Sequence, residues 1–498
     1  MPLTLAGKAH ACSGPLRAGT EIAPVRSQHT LESLSAMSTL YTQSTTETLE
    51  STQHPEAVAV APQPSGSVDP IVVVGGGAAG LELVTRLSRL RKAGHRLAPV
   101  VLVDRALGHL WKPRLHEIAT AMQGQASAES SFLSHASQHG YRFELGTLES
   151  IDAQARRIFL TPLVGSDLSV LLPRRSLAYS SLVLALGSEE NDFGTPGARE
   201  HCLFLNTPEQ ALKIRQALLS SAFRVARGVQ EGLSIVVIGG GATGVELAAE
   251  IQHAIEELRG HEPGVGRAQV RVTVIEAAPR LLNANPPEVS EYAARSLRER
   301  GVELLVGERV QQVDALGVQL ASGRYVEAEL RIWTAGIRGP RVLDGMQDLP
   351  VSRSGRVRVN DWLRCEDVPG LYALGDCAEW TDPESGKPAP YTAQVASAQA
   401  RYLAKAMAAQ AAGRAIPAFQ FASAGAIVSL GDRGAAGNLT TRFGRRSRDQ
   451  FIQGLSAQWL YAVLYRRHEL AIHGWRRAAA RWLVDRLERS YQPTIKLH

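Results

Sequence analysis

At 498 residues the chain exceeds what one hydrophobic core organises, so two or three domains are expected. Apolar content of 44% and charged content of 20% are those of an ordinary soluble globular protein. The four cysteines, Cys12, Cys202, Cys365 and Cys377, show neither C-x2-C nor C-x4-C spacing. This argues against an iron–sulfur cluster, a structural zinc or a dithiol pair, and no metal site is expected. The net charge of +6 is concentrated at one end: residues 442–498 carry 12 Lys/Arg against 4 Asp/Glu, leaving the other 441 residues at −2. That places the basic character in the tail rather than in the fold, and no nucleic-acid partner is expected.

Residues 1–67 lack strand or helix periodicity and are rich in Ser, Thr and Pro. They read as a disordered extension with no apolar segment of the secretory kind. The folded pattern begins near residue 68. A strand Ile71-Val72-Val73-Val74 runs into Gly75-Gly76-Gly77-Ala78-Ala79-Gly80, a helix follows near 78–93, and a strand Val100–Val103 ends at Asp104. After a middle region closing on Leu182–Gly187 the same plan recurs. Strand Ile235–Ile238 leads into Gly239-Gly240-Gly241-Ala242-Thr243-Gly244, then a helix, then strand Val272–Ile275 ending at Glu276.

Both glycine runs fit G-x-G-x-x-G at a strand-to-helix junction. Gly75 and Gly239 make the turn, Gly77 and Gly241 let the backbone approach a pyrophosphate, and Gly80 and Gly244 pack helix on strand. Asp104 and Glu276 end the second strand of their units, where a carboxylate accepts the ribose hydroxyls of an adenosine. Glu276 also repels a 2′-phosphate, which favours NADH over NADPH. Two such units suggest two dinucleotides, and a flavin with a nicotinamide is the usual pair because a hydride passes between them.

The second unit ends at Ile332-Trp333-Thr334-Ala335-Gly336, after which the first resumes with Gly370–Leu374 before Gly375-Asp376. The expected architecture is therefore α/β: two Rossmann-like dinucleotide-binding domains, one inserted in the other. The boundaries are 68–190 and 337–415 for the first domain, 191–336 for the second, and 416–498 for a C-terminal region. That region offers two amphipathic helices. One puts Trp459, Leu460, Val463, Leu464, Leu470 and Ala471 on a face; the other aligns Trp475, Ala479, Trp482, Leu483 and Leu487 beside arginines. Neither holds the roughly 20 apolar residues needed to span a bilayer. Tryptophans mixed with arginines suit a helix lying on an anionic leaflet, the alternative being a helical cap or a surface for a second copy of the chain in a homodimer.

Several segments together resemble the bacterial type II NADH:quinone oxidoreductases. They are His109-Leu110-Trp111-Lys112-Pro113 with Leu115-His116-Glu117, Gly239–Leu247, Trp333–Ile337, Leu374–Ala378, and the tail Tyr465–Glu469 through Ile472–Gly474 to Lys496-Leu497-His498. The resemblance implies an FAD enzyme on the cytoplasmic face of the bacterial inner membrane, peripheral, passing two electrons from NADH to a membrane quinone without pumping protons. It implies cofactor contacts at Lys112, Gly187, Ala335, Gly336, Gly375, Asp376 and Ala393.

The resemblance further implies a role for Gln394 at the flavin and quinone, and for Glu246 near the nicotinamide, placing NADH or relaying a proton. An acid complementing the helix N-terminus is the plainer reading of Glu246. The A-Q-x-A-x-Q pattern of these enzymes is matched by Ala393-Gln394-Val395-Ala396, but the second Gln is displaced to Gln399. On a helix Gln399 lies roughly 140° from Gln394, whereas position 398 shares its face. Two rival functions remain. A sulfide:quinone oxidoreductase would need Cys365 and Cys377 as a reactive pair; a non-catalytic, NADH-responsive membrane-binding protein would need no flavin.

Overall fold

In the computed structural model, residues 68–121, 129–261, 269–431, 434–443 and 446–491 are described. The expected N-terminal extension, most of the 259–267 loop and the closing Lys496-Leu497-His498 lie outside them.

The apolar run Ile71–Val74 is buried along its whole length and forms the centre of a five-stranded parallel sheet. A strand buried on both faces needs an uninterrupted apolar run, which this one has. Its neighbours are Ser181–Leu184 on one side and Val100–Asp104 on the other, in register Val72 to Leu182 and Val101. Arg142–Leu145 completes one edge and Leu371–Ala373 the other. The last of these strands returns to the sheet from beyond the second glycine unit.

That second unit repeats the plan. Gly232–Ile238 is central, flanked by Gln269–Glu276 and Leu330–Trp333, with Val302–Val306 and Leu203–Phe204 at the edges, all parallel. Each unit also carries a three-stranded antiparallel sheet, Leu148–Asp152 with Arg157–Leu160 and Arg175–Ala178 in the first, Val310–Val313 with Gly317–Leu320 and Tyr325–Glu327 in the second. The chain passes between units twice, and the two passages pair: Glu189 opposite Arg338 and Glu190 opposite Ile337. The fold is two Rossmann-like sheets, one inserted in the other.

Two helices fix the first sheet's face. Ala78–Lys92 buries Leu81, Leu83, Val84 and Leu87, which share a core with Val73, Leu102 and with Leu403 and Met407 of helix Ala393–Ala411. Each fully buried Leu is worth about 1.5–3 kcal/mol. The second helix starts where the Thr392 hydroxyl accepts the Val395 N–H at 3.4 Å, an N-cap that places Ala393 and Gln394 in its first turn.

The C-terminal region departs from its reading as helices alone. It opens with an antiparallel sheet of Gly425–Ser429, Ala435–Phe443 and Arg446–Gln453. Two helices follow, Gly454–His473 and Trp475–Tyr491, divided at Gly474 in the left-handed region (φ 78°). Nor does the first tail helix present a single apolar face. Trp459 and Val463 are exposed, Leu464 and Ala471 face the large cavity, Leu470 borders that cavity while remaining exposed, and Ala457, His468 and Ile472 are buried. Its inner stripe lies on helix Ala78–Lys92, where the Arg89 guanidinium and the His135 ring both donate to the Ile472 carbonyl, at 3.3 and 3.0 Å. Among the described residues no helix is long and apolar enough to cross a membrane.

Candidate active site

One cavity of about 1810 Å³ runs along the carboxyl ends of both parallel sheets. It exceeds the roughly 300–1,000 Å³ of ordinary ligand pockets, as a site for two dinucleotides must. Each glycine run contributes a cradle of the same build. Gly75 (φ +106°) and Gly239 (φ +112°) hold a conformation L side chains avoid, and a Cβ on Gly80 or Gly244 would overlap the carbonyl of Gly75 or Gly239. At Gly77 and Gly241 an added Cβ meets nothing within 4 Å. Gly77 lines the cavity, as do Ala242 and Thr243 directly after Gly241, so both turns leave room for a pyrophosphate to approach the backbone.

The paired acids are held alike. Asp104 accepts the Gly76 N–H at 2.6 Å and the Ala106 N–H at 2.8 Å. Glu276 accepts the Gly240 N–H at 2.5 Å and the Ala278 N–H at 2.7 Å. Burial raises the Asp104 carboxyl above its usual range, and the backbone donors of Ala106 and Gly76 oppose that. Each acid therefore locks the second residue of its glycine turn and still borders the cradle.

Lys112, Gly187 and Asp376 meet at the first sheet's end. The Lys112 ammonium donates to the Ser188 carbonyl (3.3 Å) and to Asn206 Oδ1 (3.1 Å), and Asp376 accepts the Ser188 hydroxyl at 2.9 Å. Burial lowers the Lys112 pKa, with the Asp376 charge pulling it back. Gly187 (φ +75°) lies beneath Lys112, an added Cβ standing 3.7 Å from Nζ. Gly375 presents its N–H to Gln399 Oε1 at 2.7 Å. Gln399 is thus buried behind the turn, bracing Gly375-Asp376, while Ala398 and Gln394 face the cavity. Gln394 is itself held by the C-terminal region, donating to the Gly425 carbonyl at 2.8 Å and accepting the Ala424 N–H at 3.4 Å. At the inner end of the second cradle Trp333 Nε1 donates to the Ala335 carbonyl at 2.8 Å, and the Phe193 ring covers Gly336.

Glu246 is buried. One oxygen accepts the Ser429 N–H at 3.0 Å and the other stands 3.5 Å from His116 Nδ1. Burial pushes its carboxyl up to about 8 and the His116 ring down to about 4, so both are neutral at pH 7.

Sequence reasoning missed a histidine pair. His109 Nδ1 lies 2.9 Å from the Gly76 carbonyl and its Nε2 lies 3.1 Å from His468 Nε2. A carbonyl only accepts, so His109 carries its proton on Nδ1, and His468 donates to His109 through Nε2. Burial beside His109 pushes His468 down to about 2, which keeps it neutral. Its ring stacks on Trp111 at 3.8 Å. Both histidines sit in the segments that carry the family resemblance, but nothing in their spacing brings residue 109 to residue 468.

Cys365 and Cys377 are buried thiols, each raised to about 11 by burial, and neither lines the cavity. Among the described residues no cluster of His, Cys, Asp or Glu is arranged to hold a metal.

Paired cradles opening on one cavity define an oxidoreductase of the flavin- and pyridine-nucleotide-dependent class. Residues 69–400 match the pyridine nucleotide-disulphide oxidoreductase family. The type II NADH:quinone oxidoreductase of Haemophilus influenzae is 34% identical over 445 residues, covering 86% of this chain and 99% of that one. Its counterpart in Staphylococcus haemolyticus is 26% identical, covering 74% and 89%. The chain belongs to the type II NADH:quinone oxidoreductases. Among solved structures, NDH2 from Plasmodium falciparum in complex with NADH superposes with a TM-score of 0.70 at 17% identity, over 86% of this chain and 100% of that one. The sulfide:quinone oxidoreductase of Aquifex aeolicus gives 0.66 at 17%, over 82% and 92%. At those identities the likeness is one of fold.

Proposed function

We propose that this chain oxidises NADH and reduces a membrane quinone through FAD, with FAD held by 68–190 and 337–415 and NADH by 191–336. The observation that carries the reading is the single cavity joining both cradles to Gln394 and the first tail helix. The open faces of Gly77 and Gly241, and the two strand-end carboxylates, fit a pyrophosphate and a ribose at each cradle. When bound, FAD takes a hydride from NADH and returns two electrons to the quinone.

The chain's own residues supply position and protons. Asp104, Lys112, Gly187 and Asp376 hold the flavin nucleotide; Glu276, Ala335 and Gly336 hold NADH. Gly375, braced by Gln399, fixes the Asp376 turn, and Ala393 with Gln394 borders the quinone end. Quinone reduction consumes two protons, of which NADH brings one as hydride. Glu246, neutral below about pH 8, keeps a transferable proton at the cavity wall for the other. The two buried cysteine thiols, neither of which lines the cavity, speak against a persulfide-forming enzyme.

The exposed Trp459, Trp475 and Trp482 support peripheral attachment. We place the anionic lipid surface under the C-terminal region and the enzyme on the cytoplasmic face, where NADH is supplied.

Gln394 tests the quinone half. In Gln394→Ala, anaerobic reduction of the flavin by NADH should persist while reoxidation by quinone slows roughly tenfold, the worth of one hydrogen bond to a ligand. Stopped-flow traces with both halves untouched would remove Gln394 from the site. Glu276→Gln should narrow the NADH/NADPH preference about tenfold, mainly through KM, since it removes a charge that repels the 2′-phosphate. Equal specificity ratios before and after would assign the discrimination to another residue.

A further inference from the structure

Three helices meet at the tail end of the cavity, and each brings arginine. Helix Ala78–Lys92 carries Arg86 and Arg89, helix Ala393–Ala411 carries Arg401, and the first tail helix carries Arg467; all four border the cavity. One carboxylate serves them. Glu82 is buried and already committed, to Arg86 at 2.6 Å and to the Ser397 hydroxyl at 2.5 Å. Arg89 and Arg401 donate only to carbonyls, of Ile472 and Ser397. Among the described residues neither Arg401 nor Arg467 has a carboxylate partner. Burial lowers the Arg401 pKa, the Arg467 and Arg86 charges lower it further, and Glu82 offsets them only in part.

Beside this rim the outer stripe of the tail helix is apolar. Trp459 (69% exposed), Val463, Arg467 and Leu470 (46% exposed) follow at intervals of four, four and three, so they share one face. An excess of guanidinium next to exposed apolar side chains is the complement of a phosphodiester joined to acyl chains.

We propose that Arg86, Arg89, Arg401 and Arg467 form a binding site for the phosphate of an anionic lipid headgroup at the mouth of the cavity. The inference rests on the quinone-reductase reading but goes further. It makes the membrane-facing surface partly a property of the dinucleotide fold, not of the tail alone, and it turns the cavity mouth toward the leaflet that holds the quinone.

The test is partition of the full-length, flavin-loaded protein onto phosphatidylcholine vesicles with and without phosphatidylglycerol. One basic residue at an anionic surface is worth about fivefold in partition, so Arg401→Gln with Arg467→Gln should weaken binding to the mixed vesicles about thirtyfold. It should also flatten the salt dependence and leave binding to pure phosphatidylcholine unchanged. Arg401→Lys with Arg467→Lys should restore most of the loss. Arg271→Gln with Arg309→Gln removes equal charge from exposed positions off the cavity lining and should cost under about twofold. Should the double glutamine variant lose its flavin, the exposed Arg467→Gln alone should still show about fivefold.

Equal losses in both pairs would mean diffuse attraction, and no loss in either would mean the arginines face no lipid. Saturable binding of inorganic phosphate without vesicles, with partition indifferent to the substitutions, would make this a soluble-anion site. Each of these three outcomes overturns the proposal. Turnover of NADH with a short-chain quinone is measured alongside. Its absence in the unaltered protein would fail the electron-transfer reading while leaving the partition result intact.

Discussion

Gly77→Val should yield a folded protein without flavin. Gly77 has φ −66° and ψ −168°, extended backbone open to any residue, and an added Cβ meets no protein atom within 4 Å. The substitution therefore costs the fold little. The isopropyl group occupies the space where the cradle admits a pyrophosphate, so bound flavin should fall below detection and NADH oxidation at least a thousandfold, as expected when a cofactor carries the chemistry. The circular dichroism spectrum should match that of the unaltered chain. Gly80→Val is the contrast, since its Cβ overlaps the Gly75 carbonyl and should prevent folding. A yellow, fully loaded Gly77→Val protein would remove FAD from the first cradle.

Deleting everything after Gln453 should abolish NADH oxidation even with a water-soluble acceptor. Read from sequence alone, a cut near Asp449 promises the opposite: loss of membrane binding with flavin reduction spared, because both glycine units precede the cut. The structure reverses that expectation. Tyr461, Leu464, His468 and Ala471 wall the cavity, and Arg89, His135 and His109 each lose a partner when the helix goes. Of these His135 and His109 are buried, and each orphaned buried group costs about 1–3 kcal/mol. Losing the burial of Ile472 adds about 1.5–3 kcal/mol. The total rivals the 5–15 kcal/mol by which a domain is stable. Flavin content should fall with activity, by at least about a hundredfold on that scale. A shorter deletion after His473 removes residues 474–498, with helix Trp475–Tyr491 among them, and should spare flavin and soluble-acceptor activity while weakening vesicle binding. Full flavin and activity in the longer deletion would show that the inner stripe is dispensable.

How far the site could be read from sequence depended on what kind of contact makes it. The glycine cradles and their acids are local: strand, turn and helix sit within about forty residues, and each residue type has one physical reason to be there. The parallel sheets were legible for the same reason, because Ile71–Val74 and Ile235–Ile238 are uninterrupted apolar runs.

Gln399 shows the limit. Helical period rightly puts it off the face of Gln394, but only the fold reveals that the face it does occupy meets Gly375. The antiparallel sheet from Gly425 to Gln453 was invisible because its strands mix glycine with polar and charged residues and keep no alternation; Thr440 pairs there with Asp449. The first tail helix misled because it is apolar on two sides, and periodicity cannot divide one apolar surface into a wall for the cavity and a face for the outside.

That two-sided helix has a practical consequence for handling the enzyme. Detergent micelles compete for the outer stripe of Trp459, Val463 and Leu470, and whatever tilts the helix also shifts Tyr461 and His468 on its inner side. Turnover measured after solubilisation should therefore vary with the amphiphile chosen while the flavin content of the preparation stays the same. Inhibitor potencies should be compared only within one lipid environment.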